Sequence, residues 1–231
     1  FTAMSHPAFQ CRAILFDLEG VHADPTANVE RHWTEWGRRH RIAPEDLLPI
    51  VHGRRAIDTI RVVTPWLDAE REFAELVRLE SEDTDGVTAI PGASALLAQL
   101  DGARWAVVTS GARPVAVARL RTAGLPIPRV LVTADQVQRG KPHPEGYLTG
   151  AGLLETDPTQ CAIVEDAPAG AAAARAAGAQ LITVASTHSL DALGDAALAL
   201  DTLQDLRLTV AHDGTLTLQS GLWAGAGGMS S

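Results

Sequence analysis

With 231 residues and a formal net charge of −9, the chain is long enough to bury a substantial core, as one large domain or a domain with an insertion, and too acidic for general affinity to nucleic acid or an anionic membrane. Its residues are 46% hydrophobic and 20% charged, an ordinary globular balance, and no apolar run approaches the ~18 residues that a membrane span needs. Two cysteines, Cys11 and Cys161, are too few for a disulfide framework, and with no secretory signal in view a reduced, cytoplasmic setting is expected. Phe1, Thr2 and Ala3 precede Met4 and read as a cloning remnant.

In chain order, the first apolar run, AILF at 13–16, stops abruptly at Asp17 and predicts a short buried strand. Residues 24–88 contain no convincing strand and read as helices at 26–39, with Trp33 and Trp36, at 54–64 and at 68–82. Strands are then expected at 105–109, 130–132, 162–164 and 181–184, alternating with helices at 93–100, 114–123, 144–152 and 168–177. Short, wholly apolar strands alternating with helices predict an α/β fold whose parallel sheet is covered on both faces. The stretch 24–88 is too long for a simple crossover, so a small helical domain is expected there, entered and left through linkers near 23–24 and 85–91. The core is then 1–23 together with 89–231. Residues 206–219 alternate around Asp213-Gly214, a hairpin turn signal. The Gly-rich tail 224–231 is expected to be loose.

In a parallel α/β sheet, ligands gather at the carboxyl ends of the strands. Those ends carry Asp17 and Glu19, then Thr109, Ser110 and Gly111, then Glu165 and Asp166, with Gly140-Lys141-Pro142 in the loop after the third strand. Four carboxylates on one rim repel one another unless something positive joins them. Carboxylates without a cysteine or histidine cluster suit a hard cation, and Mg²⁺ is the natural candidate. A lysine, a hydroxyl and the N–H groups of a Gly-rich turn suit a phosphoryl group. Against eighteen arginines, Lys141 is the one lysine of the chain. Plainer roles exist for the same residues. Asp17 and Thr109–Gly111 fit turns, Glu165-Asp166 fit a helix N-cap pair, Lys141 and the arginines Arg54 and Arg55 fit a solvated surface, and His22 fits a packed or solvated side chain.

Asp17-x-Glu19-Gly20-Val21, Thr109, Lys141 and Glu165-Asp166 resemble, in order and spacing, the four motifs of the haloacid dehalogenase superfamily, over nearly all of the chain. The segments TANVERHW (26–33), HGRRAIDTI (52–60), WAVVTSGAR (105–113), TADQVQRGKPHPEGYL (133–148) and VEDAPAG (164–170) are closer still to its glycerol-phosphate and 2-deoxyglucose-6-phosphate phosphatases. The resemblance implies a Rossmann-like core with an inserted helical cap. It implies Asp17 as the nucleophile that takes the phosphoryl group, Thr109 and Lys141 as its holders with Ser110 and Gly111 beside them, and Glu165 and Asp166 completing the metal site with Asp17. Arg54 and Arg55 fall where the cap is expected to read the substrate. Glu19 stands where the family has a second Asp, the general acid and base, whose backbone carbonyl also binds Mg²⁺. The expected activity is Mg²⁺-dependent hydrolysis of a small phosphorylated polyol or sugar through an aspartyl phosphate, by a monomer or weak dimer. A phosphosugar mutase, a phosphotransferase, a dehalogenase, or a catalytically weak relative that binds phosphorylated ligands are the rivals.

Glutamate at 19 keeps the carboxylate but moves it by one methylene. A misplacement of about 1 Å can cost on the order of 10²-fold in rate. The expectation from sequence is therefore that Glu19→Asp raises turnover on alkyl phosphates, and raises it less on p-nitrophenyl phosphate, whose leaving group needs no proton.

Overall fold

The computed structural model describes residues 8–221. The chain runs through β1 (Ala8–Cys11), β2 (Ala13–Phe16) and β3 (Ala23–Asp24), then four helices, α1 (Thr26–His40), α2 (Pro44–Val51), α3 (Ala56–Val63) and α4 (Ala69–Glu82). It returns through β4 (Thr88–Ala89), α5 (Ala93–Leu97), β5 (Trp105–Val108), α6 (Arg113–Thr122), β6 (Val130–Val132) and α7 (Glu145–Leu153). The rest is β7 (Cys161–Glu165), α8 (Pro168–Ala176), β8 (Gln180–Val184), α9 (Leu190–Leu193), β9 (Leu198–Leu200), β10 (Leu206–Val210) and β11 (Leu216–Ser220). The expected remnant at 1–3 and tail at 224–231 lie outside the described residues.

Six strands form one parallel sheet in the order β6-β5-β2-β7-β8-β9. β2 lies in the middle, and all four of its side chains are buried. Ile14 and Phe16 face a cluster with Leu96, Leu100 and Leu120, while Ala13 and Leu15 face Tyr147, Ala151 and Ala174 on the other side. Two apolar faces explain why AILF shows no polar alternation. The register pairs Phe16 with Val107 on one side and Val164 on the other. The ends of β5, β2 and β7 are thereby level, and the residues that follow them emerge side by side.

The differences from the sequence reading are local. β9 was not expected: LAL is too short to carry a periodic signal, and only its place at the sheet edge makes it a strand. α2 was not expected either, because PEDLLPIV carries Pro44 and Pro49; Pro44 sits in the first turn, where its missing N–H is harmless. The expected linkers pair as β3 and β4, Ala23 with Ala89 and Asp24 with Thr88, so the chain leaves and re-enters the core at one place. The Asp213-Gly214 turn joins β10 to β11, and β1 adds to the far edge of β11.

The four inserted helices pack around Trp33, Trp36, Leu47, Ile60 and Leu76, with the two indoles edge-to-face at 5.4 Å. α4 of this insertion lies against α6 of the core. Among the described residues, no helix is long and apolar enough to cross a membrane. Cys11 and Cys161 are both buried and free.

Candidate active site

Asp17 follows the last residue of β2, and its N–H donates to the Val164 carbonyl at 3.0 Å, which holds it in the sheet's register. Its Oδ1 accepts from the Leu18 N–H at 2.8 Å and lies 2.8 Å from Lys141 Nζ. The same ammonium donates to Glu165 Oε1 at 2.6 Å, and the Tyr147 hydroxyl donates to that oxygen as well. Asp166 accepts from the Thr187 hydroxyl. Asp17, Glu165 and Asp166 are all buried and each can offer an oxygen within 4.8 Å of the others.

Two glycines make this crowding possible. Gly20 has φ +75°, and a Cβ there would lie 1.8 Å from Asp166 Oδ2. A Cβ on Gly170 would lie 1.8 Å from Glu165 Oε1. The glycines of DLEG and VEDAPAG thus leave room for the carboxylates to meet.

Burial pushes Asp17 well above the ordinary carboxylate range, the Glu165 charge adds to this, and Lys141 only partly opposes it. Burial and Glu165 push Asp166 up to about 7. Burial works against the Lys141 charge, but Asp17 and Glu165 outweigh it and hold the ammonium above its usual range. One ammonium does not balance three carboxylates, and a further cation among them would restore the ionised forms. All the side-chain donors it would meet in that cluster are carboxylate oxygens, which suits a hard divalent ion.

Glu19 is not one of those three carboxylates and has partners of its own. Its Oε2 accepts from Thr109 Oγ1 at 2.7 Å and its Oε1 from Arg119 Nη1 at 2.7 Å. Arg119 Nη2 donates in turn to Glu80 Oε2 of α4 at 2.9 Å. Burial raises the Glu19 carboxyl, but the Arg119 charge and the hydrogen bonds from Thr109 and Arg119 outweigh it and hold the group below its usual value. The Glu19 side chain is thus engaged by Thr109 and Arg119 and is not one of the three clustered carboxylates.

The residues expected to hold a phosphoryl group are also engaged. Thr109 Oγ1, besides donating to Glu19, accepts from the Gly111 N–H at 2.9 Å. Ser110 Oγ donates to the Gly53 carbonyl of the insertion at 3.1 Å. The two neighbouring arginines separate. Arg54 is exposed and lines the cavity above Asp17. Arg55, also expected to meet substrate, does not line that cavity. Its side chain is 8% exposed, and the guanidinium grips Asp58 at 2.7 and 2.8 Å and the carbonyls of Val137 and Gln138 at 2.8 Å. With these partners it clasps the insertion to the loop that carries Lys141.

The cavity holds about 80 Å³. Asp17, Glu19, Gly20, Ser110, Gly111 and Asp166 line it from the core, and Val29, Trp33, Val51, His52, Arg54, Phe73 and Leu76 from the insertion. Arg119 and Glu80 line it where α6 meets α4.

Four members of the site were not read from the sequence: Arg119, Glu80, Tyr147 and Thr187. Tyr147, the chain's one tyrosine, lies inside the quoted segment 133–148, so it was within reach. Arg119 and Glu80 look like ordinary polar positions on helices. His22 proves to be packed: fully buried, edge-on to Phe16 at 4.5 Å between ring centroids, with neither ring nitrogen hydrogen-bonded among the described residues.

Comparison with known proteins agrees with this geometry. Residues 11–178 match the family model for haloacid dehalogenase-like hydrolases. The chain is 44% identical over 215 residues to hexitol phosphatase A of Escherichia coli K12, covering 91% of this chain and all of that protein. It is 35% identical over 199 residues to glycerol-1-phosphate phosphohydrolase 2 of Saccharomyces cerevisiae, covering 80% of this chain and 79% of that one. Among solved structures, a hydrolase from Pseudomonas syringae superposes with a TM-score of 0.75 at 25% identity, over 84% of this chain and 94% of that one. With the family model matched over most of its length, and an acid-lined rim at the carboxyl ends of a parallel sheet, the chain belongs to the haloacid dehalogenase-like hydrolases.

Proposed function

We propose that this protein hydrolyses a small phosphorylated polyol or sugar, using Mg²⁺ and an aspartyl phosphate on Asp17. The observation that carries the reading is the meeting of three buried carboxylates with the only lysine of the chain at the end of β2. The names of the hexitol and glycerol-1-phosphate enzymes support the substrate class. Asp17, Glu165 and Asp166, with the Glu19 carbonyl, would hold Mg²⁺. When bound, the ion supplies positive charge to the phosphoryl oxygens.

The chain's own residues do the rest. An Asp17 oxygen attacks phosphorus as the bond to the substrate's alkoxide breaks. Glu19 delivers a proton to that alkoxide, which is otherwise a poor leaving group. A phosphoryl dianion brought beside Glu19 raises its pKa and favours the protonated form needed for this step. Once the alcohol has left, Glu19 takes a proton from the water that attacks the aspartyl phosphate. Lys141 balances charge on the equatorial oxygens throughout, and a compact ammonium fits between Asp17 and Glu165 where a planar guanidinium would not.

We take residues 24–88 as a cap on a core formed by 1–23 and 89–231. The cavity is lined from both the core and the insertion, so the cap opens to admit substrate and closes over it to shut out water. Arg54 is its substrate-reading arginine. Two free, buried cysteines fit a reducing cytoplasm, and the enzyme acts on small-molecule esters as a monomer or weak dimer.

The test is a phosphate-release screen over polyol and sugar phosphates, with and without Mg²⁺. Release that depends on Mg²⁺ and is abolished by Asp17→Asn is expected. No release from any ester with any divalent cation would overturn the reading, and full activity in excess EDTA with metal shown to be absent would overturn the metal requirement.

A further inference from the structure

We propose that Arg119 is the positioning residue that makes glutamate workable at position 19, and that Glu80 of α4 makes this positioning depend on the cap being closed. The inference rests on the phosphatase reading and goes beyond it, because it says which residues aim the acid–base group.

The side chain of Arg119 is 4% exposed. It lies between two carboxylates, with Nη1 on Glu19 Oε1 at 2.7 Å and Nη2 on Glu80 Oε2 at 2.9 Å. Its Nε has no hydrogen-bond partner among the described residues. Its charge and its aim are therefore set by two acids, one from the site and one from α4. A buried arginine of this kind is costly to maintain unless its partners are well placed.

Glutamate has one more rotatable bond than aspartate and no fixed direction of its own. Here two donors remove that freedom: Thr109 holds Oε2 at 2.7 Å and Arg119 holds Oε1 at 2.7 Å. An aspartate would draw back by about 1.5 Å. Both bonds would then be too long unless the backbone moved. The extra methylene is thus taken up by a clamp built for it, and the expectation that Glu19 is a handicap gives way.

Glu80 adds the second part. α4 belongs to the insertion and α6 to the core, so the bond from Arg119 to Glu80 exists only while α4 lies against α6. With α4 away, Arg119 is free to turn from Glu19 toward solvent. The acid is fully aimed when the cap is down and water is excluded.

The step that feels this is the first. The Asp17–P bond forms, the P–O bond breaks with its electron pair on the alkoxide oxygen, and the proton on Glu19 passes to that oxygen. kcat/KM reports on this step, since it ends where the leaving group departs.

The experiment compares kcat/KM for glycerol phosphate and p-nitrophenyl phosphate in Arg119→Gln, Glu80→Gln, the Arg119→Gln/Glu80→Gln pair, and Arg119→Lys. For Arg119→Gln the value on glycerol phosphate should fall about 10²-fold and that on p-nitrophenyl phosphate less than about 3-fold, because the nitrophenolate leaves without a proton. Glu80→Gln should show the same selectivity with a smaller loss, and Arg119→Lys, which keeps the charge but not the fork, should be intermediate. The double variant removes the mutual repulsion of the two stranded acids. It carries the same expectation if Arg119→Gln alone fails to fold. In a Glu19→Gln background, Arg119→Gln should cause no further selective loss. Equal falls on both esters in a folded variant, no fall at all, or an undiminished selective loss in the Glu19→Gln background would each overturn the proposal. A wild-type protein that releases phosphate from neither ester nor any other would count against the phosphatase reading itself.

Discussion

His22 offers a test of the packing whose size follows from the structure. Its imidazole is fully buried, and neither nitrogen has a hydrogen-bond partner among the described residues. Burial drives its pKa down from 6.5 to about 4, with the Glu19 charge opposing only in part. The folded protein therefore keeps His22 neutral, while the unfolded chain protonates it as the pH passes below 6.5. A depressed folded pKa means that stability is complete above the unfolded value and is lost as pH falls toward the folded one. The window runs from 6.5 down to about 4. At 1.36 kcal/mol per pH unit, the loss across it is about 3 kcal/mol. Replacing His22 by Leu, similar in size and wholly apolar, removes both this loss and the cost of two orphaned ring nitrogens, about 1–3 kcal/mol at any pH. His22→Leu should be more stable than wild type at pH 7, and its advantage should widen by about 3 kcal/mol between pH 7 and pH 4. Urea unfolding of both proteins across that range measures the difference, in which the shared carboxylate titrations cancel. A constant advantage, or a less stable variant at pH 7, would refute the assignment of His22 as a neutral, unpartnered core residue.

The remaining predictions concern the site. Glu19→Asp should lower kcat/KM on glycerol phosphate by roughly 10²-fold, because the shorter side chain gives up Arg119 and Thr109 together; a rise would restore the reading of Glu19 as a handicap. Lys141→Arg should lose about 10²-fold or more in kcat, since a planar fork cannot sit 2.8 Å from Asp17 and 2.6 Å from Glu165 as an ammonium does. A near-normal rate with an unchanged melting temperature would make Lys141 an ordinary cation. Arg54→Ala should change the ranking of phosphate esters, because Arg54 lines the cavity. Arg55→Ala should slow all esters alike and lower the melting temperature, because Arg55 grips the loop before Lys141. The opposite pattern, read from kcat/KM over a panel of esters, would exchange their roles.

What the sequence determined by itself was the part carried by local signals. The apolar runs at 13–16 and 162–164 each stop at an acid: Asp17 follows β2, and Glu165 closes β7 as a fully buried charge held by Lys141 and Tyr147. Asp17, Glu165 and Asp166 were therefore readable as a rim, as were the Asp213-Gly214 hairpin and the helical insertion. β9 and α2 escaped because three apolar residues, or a helix bracketed by prolines, have no period to detect. Tertiary structure alone decided the charge partners. Arg119 meets Glu19 across 100 positions of sequence and Glu80 across 39, and no spacing rule reaches so far. Arg54 and Arg55 are adjacent and identical in kind, yet Asp58 and the 137–138 carbonyls hold one of them away from the cavity. Glu19 shows the same division most clearly. As a letter it is one methylene too long, but with Thr109 and Arg119 placed by β5 and α6 its length is what lets both donors reach it.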